Sequence, residues 1–304
     1  MVVAAVLRRL KDVPEHGSMT PINEGLKLSE AERLREPITV VTITRGRPEL
    51  LARAMRSVCE QDYSRPIVHV VVVDDAPEVY ADVERSLPWD SDAPRKQVWV
   101  FAPRAEGESS GPARLGRLRN RTVRAATTRL VAFLDDDNEF EPHHLSSLMD
   151  CMTQTGAAAV HSHRRLYLRN GAPYVEHRMP WKRDRREGRA VYDELREMHI
   201  FIHGSNVIRD RARHTWQNDA VRMVDTSEWL FRRDVLLRIP FCEEYSYEDW
   251  MEVRPEDNKL VRALVAAGVT IACTHMPSLR YYLGGYSNTF PRQRPGRTPV
   301  WCTE

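Results

Sequence analysis

The chain has few cysteines, no long apolar run and no surplus of charge, and each shortage closes off a class of protein. Its five cysteines, Cys59, Cys151, Cys242, Cys273 and Cys302, are odd in number and scattered, with no C-x-x-C pair. Neither a disulfide framework nor a zinc site is expected from that pattern, and reduced thiols fit a cytoplasmic location. The apolar stretch from Met1 to Leu7 is too short to span a bilayer, and its charges follow rather than precede it. No signal peptide and no integral membrane association are expected. Lys and Arg total 45 against 43 Asp and Glu, a formal charge of +2, which gives no reason to expect nucleic acid. A glycine-rich phosphate loop is missing too, since Thr44-Arg45-Gly46-Arg47-Pro48 carries a single glycine.

What is present is enough apolar material, 42% of 304 residues, for a substantial α/β core. Residues 1–36 read as an N-terminal appendage with one short helix capped by Ser29. From Pro37 the pattern changes: Ile38 to Thr44 is a β-branched run of strand length, and Pro48 opens a helix in which Leu51, Ala54, Met55 and Val58 recur at helical steps. Two further apolar runs, Ile67 to Val73 and Leu130 to Leu134, end directly on Asp74-Asp75 and Asp135-Asp136-Asp137. Continuous apolar strands between helices imply a mostly parallel sheet covered on both faces, and such sheets bind ligands beyond the strand carboxyl ends. Both acidic clusters fall in that crevice. The second half is less regular, with strands expected at 157–161 and 200–202 and helices at 228–238 and 255–267. A charged stretch from Lys182 to Arg189 reads as a solvated loop or as an arginine site for an acidic acceptor.

Three consecutive carboxylates repel one another, and a divalent cation neutralises such a cluster most directly. Oxygen-only donors favour Mn2+ or Mg2+, with water and substrate phosphates completing the shell. A plain helix cap is the competing reading. A carboxylate after the second strand, Asp74 or Asp75, can accept the imide N–H of uracil or the amino groups of guanine, while the pair with Pro77 also reads as a turn.

The segment Phe133-Leu134-Asp135-Asp136-Asp137-Asn138-Glu139-Phe140-Glu141-Pro142-His143-His144-Leu145 resembles the metal-binding segment of family 2 glycosyltransferases, an Asp-x-Asp motif followed by a Pro-x-x-Leu helix start. Thr42 to Leu51 resembles the family's opening strand and turn, with Arg45 departing from the usual residue. Val72-Val73-Asp74-Asp75 resembles its base-binding segment, and Arg119-Asn120 the element preceding its metal motif. Tyr247-Glu248-Asp249-Trp250 resembles its Glu-Asp motif, although Pro255 interrupts the helix the family runs onward from there. Arg280-Tyr281-Tyr282 with Tyr286-Ser287-Asn288 resembles a closing segment that folds over the diphosphate.

The resemblance implies a GT-A type, Rossmann-like α/β domain with a mixed, mostly parallel sheet flanked by helices. Residues 37–150 would bind nucleotide sugar and metal, residues 151–290 of the same domain would bind acceptor and supply the base, and 291–304 would form a tail. It implies an inverting transfer from a nucleotide-diphosphate sugar, UDP being the first expectation, to a small-molecule or glycoside acceptor. Asp249, or else Glu248, would be the base. Thr44, Arg47, Asp74, Asp75, Arg119, Asp135 and Asp136 would bind the donor. Asp137 and Asp135 would hold the metal, with His275 as an additional ligand or as hydrogen-bonded structure, and Trp250 and His203 would meet the acceptor. A homodimer is left open. The rivals are a sugar nucleotidyltransferase, which the missing glycine-rich loop disfavours, and an inactive nucleotide-sugar-binding partner protein.

Overall fold

A computed structural model describes residues 36–78, 95–104, 111–212, 224–246, 249 and 255–285. The appendage with Ser29, Glu248, Trp250, Tyr286 to Asn288 and the tail lie outside the described residues.

Strand β1 (Ile38–Thr44) leads into helix α1 (Pro48–Cys59), then β2 (Ile67–Asp74) and β3 (Arg95–Ala102). Helix α2 (Pro112–Ala125) precedes β4 (Leu130–Phe133), the short β5 (Glu139–Phe140) and α3 (His144–Thr155). The second half supplies β6 (Ala159–Tyr167), α4 (Arg185–Glu197), β7 (Val207–Ile208), a 3-10 turn at Thr226–Glu228, β8 (Trp229–Arg232), α5 (Arg233–Arg238), α6 (Glu256–Ala266) and β9 (Ile271–Tyr282). All nine described strands join one sheet in the order β3-β2-β1-β4-β8-β6-β9-β5, with β7 beside β6. The first four run parallel, β8 enters antiparallel between β4 and β6, and β9 returns parallel to β6. The sheet is mixed and mostly parallel, as the apolar runs imply.

β4 shows why helices cover both faces. Leu130, Ala132 and Leu134 point to one side, where α1 and α3 contribute Ala54, Val58, Leu145 and Leu148. Val131 and Phe133 point to the other, against Val123 of α2, Val235 of α5, and Leu260 and Leu264 of α6. A strand buried on both faces has no polar position to offer until it leaves the sheet. In β4 that happens at Asp135.

Three expectations for the second half are corrected. Residues 229–232 form a strand rather than the start of a helix, because Trp229, Leu230 and Phe231 fill the gap between β4 and β6. Residues 200–202 form no strand; Phe201 makes a single bridge to Ile208. The charged stretch is not a loop throughout, since Asp184 accepts from the N–H groups of Arg186 and Glu187 and caps α4.

Two buried histidines make the fold acid-sensitive. His69 bonds Thr42 Oγ1 through Nε2 at 2.9 Å, and His144 bonds Ser278 Oγ at 2.8 Å while stacking on Phe140. Burial pushes each imidazole down to about 3, below the ordinary value of about 6.5. Both are neutral in the native chain, whereas the unfolded chain binds their protons as the pH drops below about 6.5. Stability is therefore expected to fall steadily from pH 6.5 towards 3, and a His144→Gln variant should show a shallower fall in melting temperature over that range. An unchanged slope would remove His144 from the acid response.

Candidate active site

The acidic triplet is built by the end of β4. The Leu134 N–H still donates to Val41 O at 2.9 Å, the Asp135 N–H donates to Ser227 Oγ at 3.1 Å, and the Asn138 N–H returns to Asp135 O at 3.1 Å. The three carboxylates thus lie on one tight turn at the carboxyl edge of the sheet. Asn138 Oδ1 accepts from Tyr282 N–H at 3.1 Å and ties the turn to β9.

The three are not equivalent. Asp136 points inward and is 1% exposed; Thr44 Oγ1 donates to it at 2.6 Å and the Arg47 guanidinium pairs with it. Burial, with Asp137 adding, raises its carboxyl to about 6 against the pull of Arg47 and Thr44. Thr44 and Asp136, both expected to bind the donor, are thus occupied with each other and withdrawn from solvent. Asp137 pairs with Arg47 at 2.7 Å and keeps an accessible carboxylate edge. The Asp135 side chain is 37% exposed and meets Arg119 at 3.0 Å. Desolvation raises its carboxyl above the usual range, with Asp225, Asp137 and Glu256 adding and Arg119 opposing.

The outward pair fits a hard divalent cation. Asp135 and Asp137 offer oxygen donors alone at a solvent-reached rim, and two guanidinium groups already occupy the positions a cation would neutralise. Gly285 adds room, because a Cβ there would run into Asp137 Oδ2.

Arg119 connects this rim to helix α6. It is 4% exposed and pairs with Glu256 as well as Asp135. Its neighbour Asn120 clasps the Phe241 backbone, donating to its carbonyl at 2.9 Å and accepting from its N–H at 2.9 Å. The chain passes so close to α2 there that a Cβ at Gly116 would strike the Cys242 carbonyl oxygen. The Arg119-Asn120 dipeptide therefore divides its work between the site and the scaffold.

Beside Glu256, Asp257 begins the first turn of α6, whose cap is Pro255. Burial raises the Asp257 carboxyl well above the usual range, with Glu256 and Asp225 adding, while the Asn258 N–H and Arg164 pull it back. Asp225 pairs with Arg164 at 3.2 Å and accepts from Ser227 N–H at 2.9 Å, next to the hydroxyl that receives Asp135 N–H. Asp135, Arg119, Glu256, Asp257 and Asp225 therefore form one charged group.

Asp249 lies outside it. Its carboxylate is held at 2.6 Å by Lys259 and at 3.0 Å by the Ser246 N–H, and these contacts, Lys259 foremost, pull its pKa down to about 2. A carboxylate so satisfied is a poor proton acceptor. A second Glu-Asp pair, Glu256-Asp257, runs straight into the apolar positions Leu260, Val261 and Leu264 and on to Gly268.

At the end of β2, Asp74 is 7% exposed and pairs at 2.6 Å with the buried Arg114, which also binds Ala102 O at 2.8 Å. Asp75, at φ +52°, keeps about a third of its side chain in solvent and accepts from Arg104 N–H at 3.1 Å. His275 groups with His163 and Cys273 rather than with Asp137. His203 is exposed and rests on His177, with 4.3 Å between ring centroids.

A mostly parallel sheet flanked by helices, with carboxylates and arginines gathered at its carboxyl edge, defines an α/β domain of GT-A type. Residues 109–238 match the model of glycosyl transferase family 2. It is similar in fold to the mannosyltransferase PcManGT from Pyrobaculum calidifontis, solved with GDP-Man and Mn2+, at 15% identity and a TM-score of 0.52, over 94% of this chain and 69% of that one. It is also similar to S. aureus TarS 1-349 in complex with UDP-GlcNAc, at 13% identity and a TM-score of 0.51, over 83% of this chain. The match spans 61% of that TarS chain. No curated protein sequence matches this chain. Among the described residues, no helix is long and apolar enough to cross a membrane.

Proposed function

We propose that this chain is an inverting glycosyltransferase that moves a sugar from a nucleotide-diphosphate donor to an acceptor hydroxyl, with Asp257 as the general base. The observation that supports the reading is the run of ion pairs from Asp135 through Arg119 to Glu256, the chain neighbour of Asp257, whose carboxyl is raised by burial. Asp137 and Asp135 would hold Mn2+ or Mg2+, which when bound stabilises the departing diphosphate. Asp75 keeps the accessible carboxylate at the end of β2 and is the residue for the nucleotide base, accepting the imide N–H of uracil in UDP. Asp74 fixes Arg114 and the end of β3. Arg47, partly exposed and paired with Asp136 and Asp137, supplies positive charge at the donor. Asp257 takes the acceptor proton onto its carboxylate as the hydroxyl oxygen attacks the anomeric carbon. Its raised pKa makes it a stronger base than Asp249. The acceptor is a small molecule or glycoside.

Thermal melting with UDP, GDP and dTDP, each with and without Mn2+, tests the donor side. A native-state ligand at a hundredfold its Kd adds about 2.7 kcal/mol, a rise of roughly 5 °C or more for a chain of this size. The rise is expected with one nucleotide and only in the presence of metal. No shift with any of the three would refute the donor assignment.

A further inference from the structure

β9 does not run evenly beside β6. Cys273 lies opposite His161, but Pro277 lies opposite His163 and Leu279 opposite Arg164, so the register slips twice within three residues of β6. β9 bulges between Cys273 and Pro277, and His275 takes φ +58°. A non-glycine residue keeps that left-handed conformation only where its surroundings over-determine it. The bulge brings the His275 ring edge-on to the buried His163, with centroids 5.6 Å apart, and its N–H donates to Cys273 Sγ at 3.3 Å. One ligand atom from each of His163, Cys273 and His275 lies within 4.8 Å of the others. All three line one cavity of about 520 Å³.

We propose that His163, Cys273 and His275 form a three-ligand site for a borderline-soft divalent transition metal of the zinc class, separate from the hard-cation site at Asp135 and Asp137. Two imidazoles and a thiolate are the donor set such an ion selects, whereas an oxygen-only pair suits Mn2+ or Mg2+. Around a tetrahedral zinc the ligand atoms stand roughly 3.5 Å apart, so side-chain rotation of about an ångström closes the site. Binding exchanges the thiol proton for the ion: Cys–SH and M2+ give Cys–S–M+ and H+. Arg209 and Arg211 line the same cavity, with Asp210 drawn to Arg164, so an anion is the fitting fourth ligand.

Titrating the metal-free full chain with Co2+ tests this directly. A thiolate-to-cobalt charge-transfer band in the near ultraviolet should appear at one equivalent and be displaced by Zn2+. Cys273→Ser and His275→Ala should each lose the band, and Asp137→Asn should keep it. Absence of the band in the unmodified chain, its persistence in Cys273→Ser, or its loss in Asp137→Asn overturns the site. Asp137→Asn also separates this proposal from the glycosyltransferase reading, since it weakens Mn2+-dependent nucleotide binding alone.

Discussion

Asp257→Asn is expected to slow sugar transfer by about a hundredfold or more, the effect of losing a positioned general base, while Mn2+-dependent nucleotide binding stays at its unmodified level. Asp249→Asn is expected to leave turnover within a few-fold. The contrast rests on environment rather than on sequence. Asp249 is neutralised by Lys259 at 2.6 Å, whereas Asp257 is crowded by Glu256 and Asp225. Because the folded pKa of Asp257 is raised, the base form fills as pH rises through that value, and kcat should climb on the same limb. The limb should vanish in Asp257→Asn. Rates and pH profiles for the two variants on one donor–acceptor pair decide the matter, and loss of activity in Asp249→Asn alone would return the role to Asp249.

Arg119→Met should be the most destabilising single change at the site. Arg119 is 4% exposed and pairs with both Glu256 and Asp135, and its guanidinium lies 5.3 Å from the centroid of the Phe241 ring. Removing one partner of a buried ion pair costs about 3–5 kcal/mol, because the remaining charge has no water to fall back on. The methionine keeps much of the aliphatic volume, so the loss reports the charge. Urea unfolding should show it. The double variant Arg119→Met with Glu256→Gln should lose less than the two single changes summed. A loss below about 1 kcal/mol for Arg119→Met would place the ion pair in the class of weak surface bridges.

The strands of the first half were legible because β1, β2 and β4 are buried on both faces and are built mainly of apolar and β-branched residues. β3 went unread because it begins Arg95-Lys96-Gln97 and lies at the end of the sheet, where the pattern weakens. Trp229 to Arg238 carries both a strand and a helix with no turn residue between them, so periodicity alone could not divide it. Within the site, the triplet's position could be read but its inward and outward members could not, since that depends on Thr44 and Arg47 arriving from another strand and its loop. Two Glu-Asp pairs, Glu248-Asp249 and Glu256-Asp257, stand eight positions apart, and the choice of Asp257 proposed above turns on surroundings rather than on spacing. The histidine and cysteine cluster had no readable spacing, as a bulge in β9 assembles it across two strands.

The sheet order has a consequence for how this chain comes apart. β4, from the first half, is flanked by β1 and by β8 of the second half, and β5 pairs with β9, 140 positions further along the chain. The two halves interleave like a lap joint. A fragment ending near residue 150 would carry β4 with an open edge and β5 without a partner, exposing backbone donors and acceptors that template aggregation. Unfolding of the β4 edge and of helix α6 should therefore be a single cooperative event, and neither half is a module that can be excised or grafted by itself.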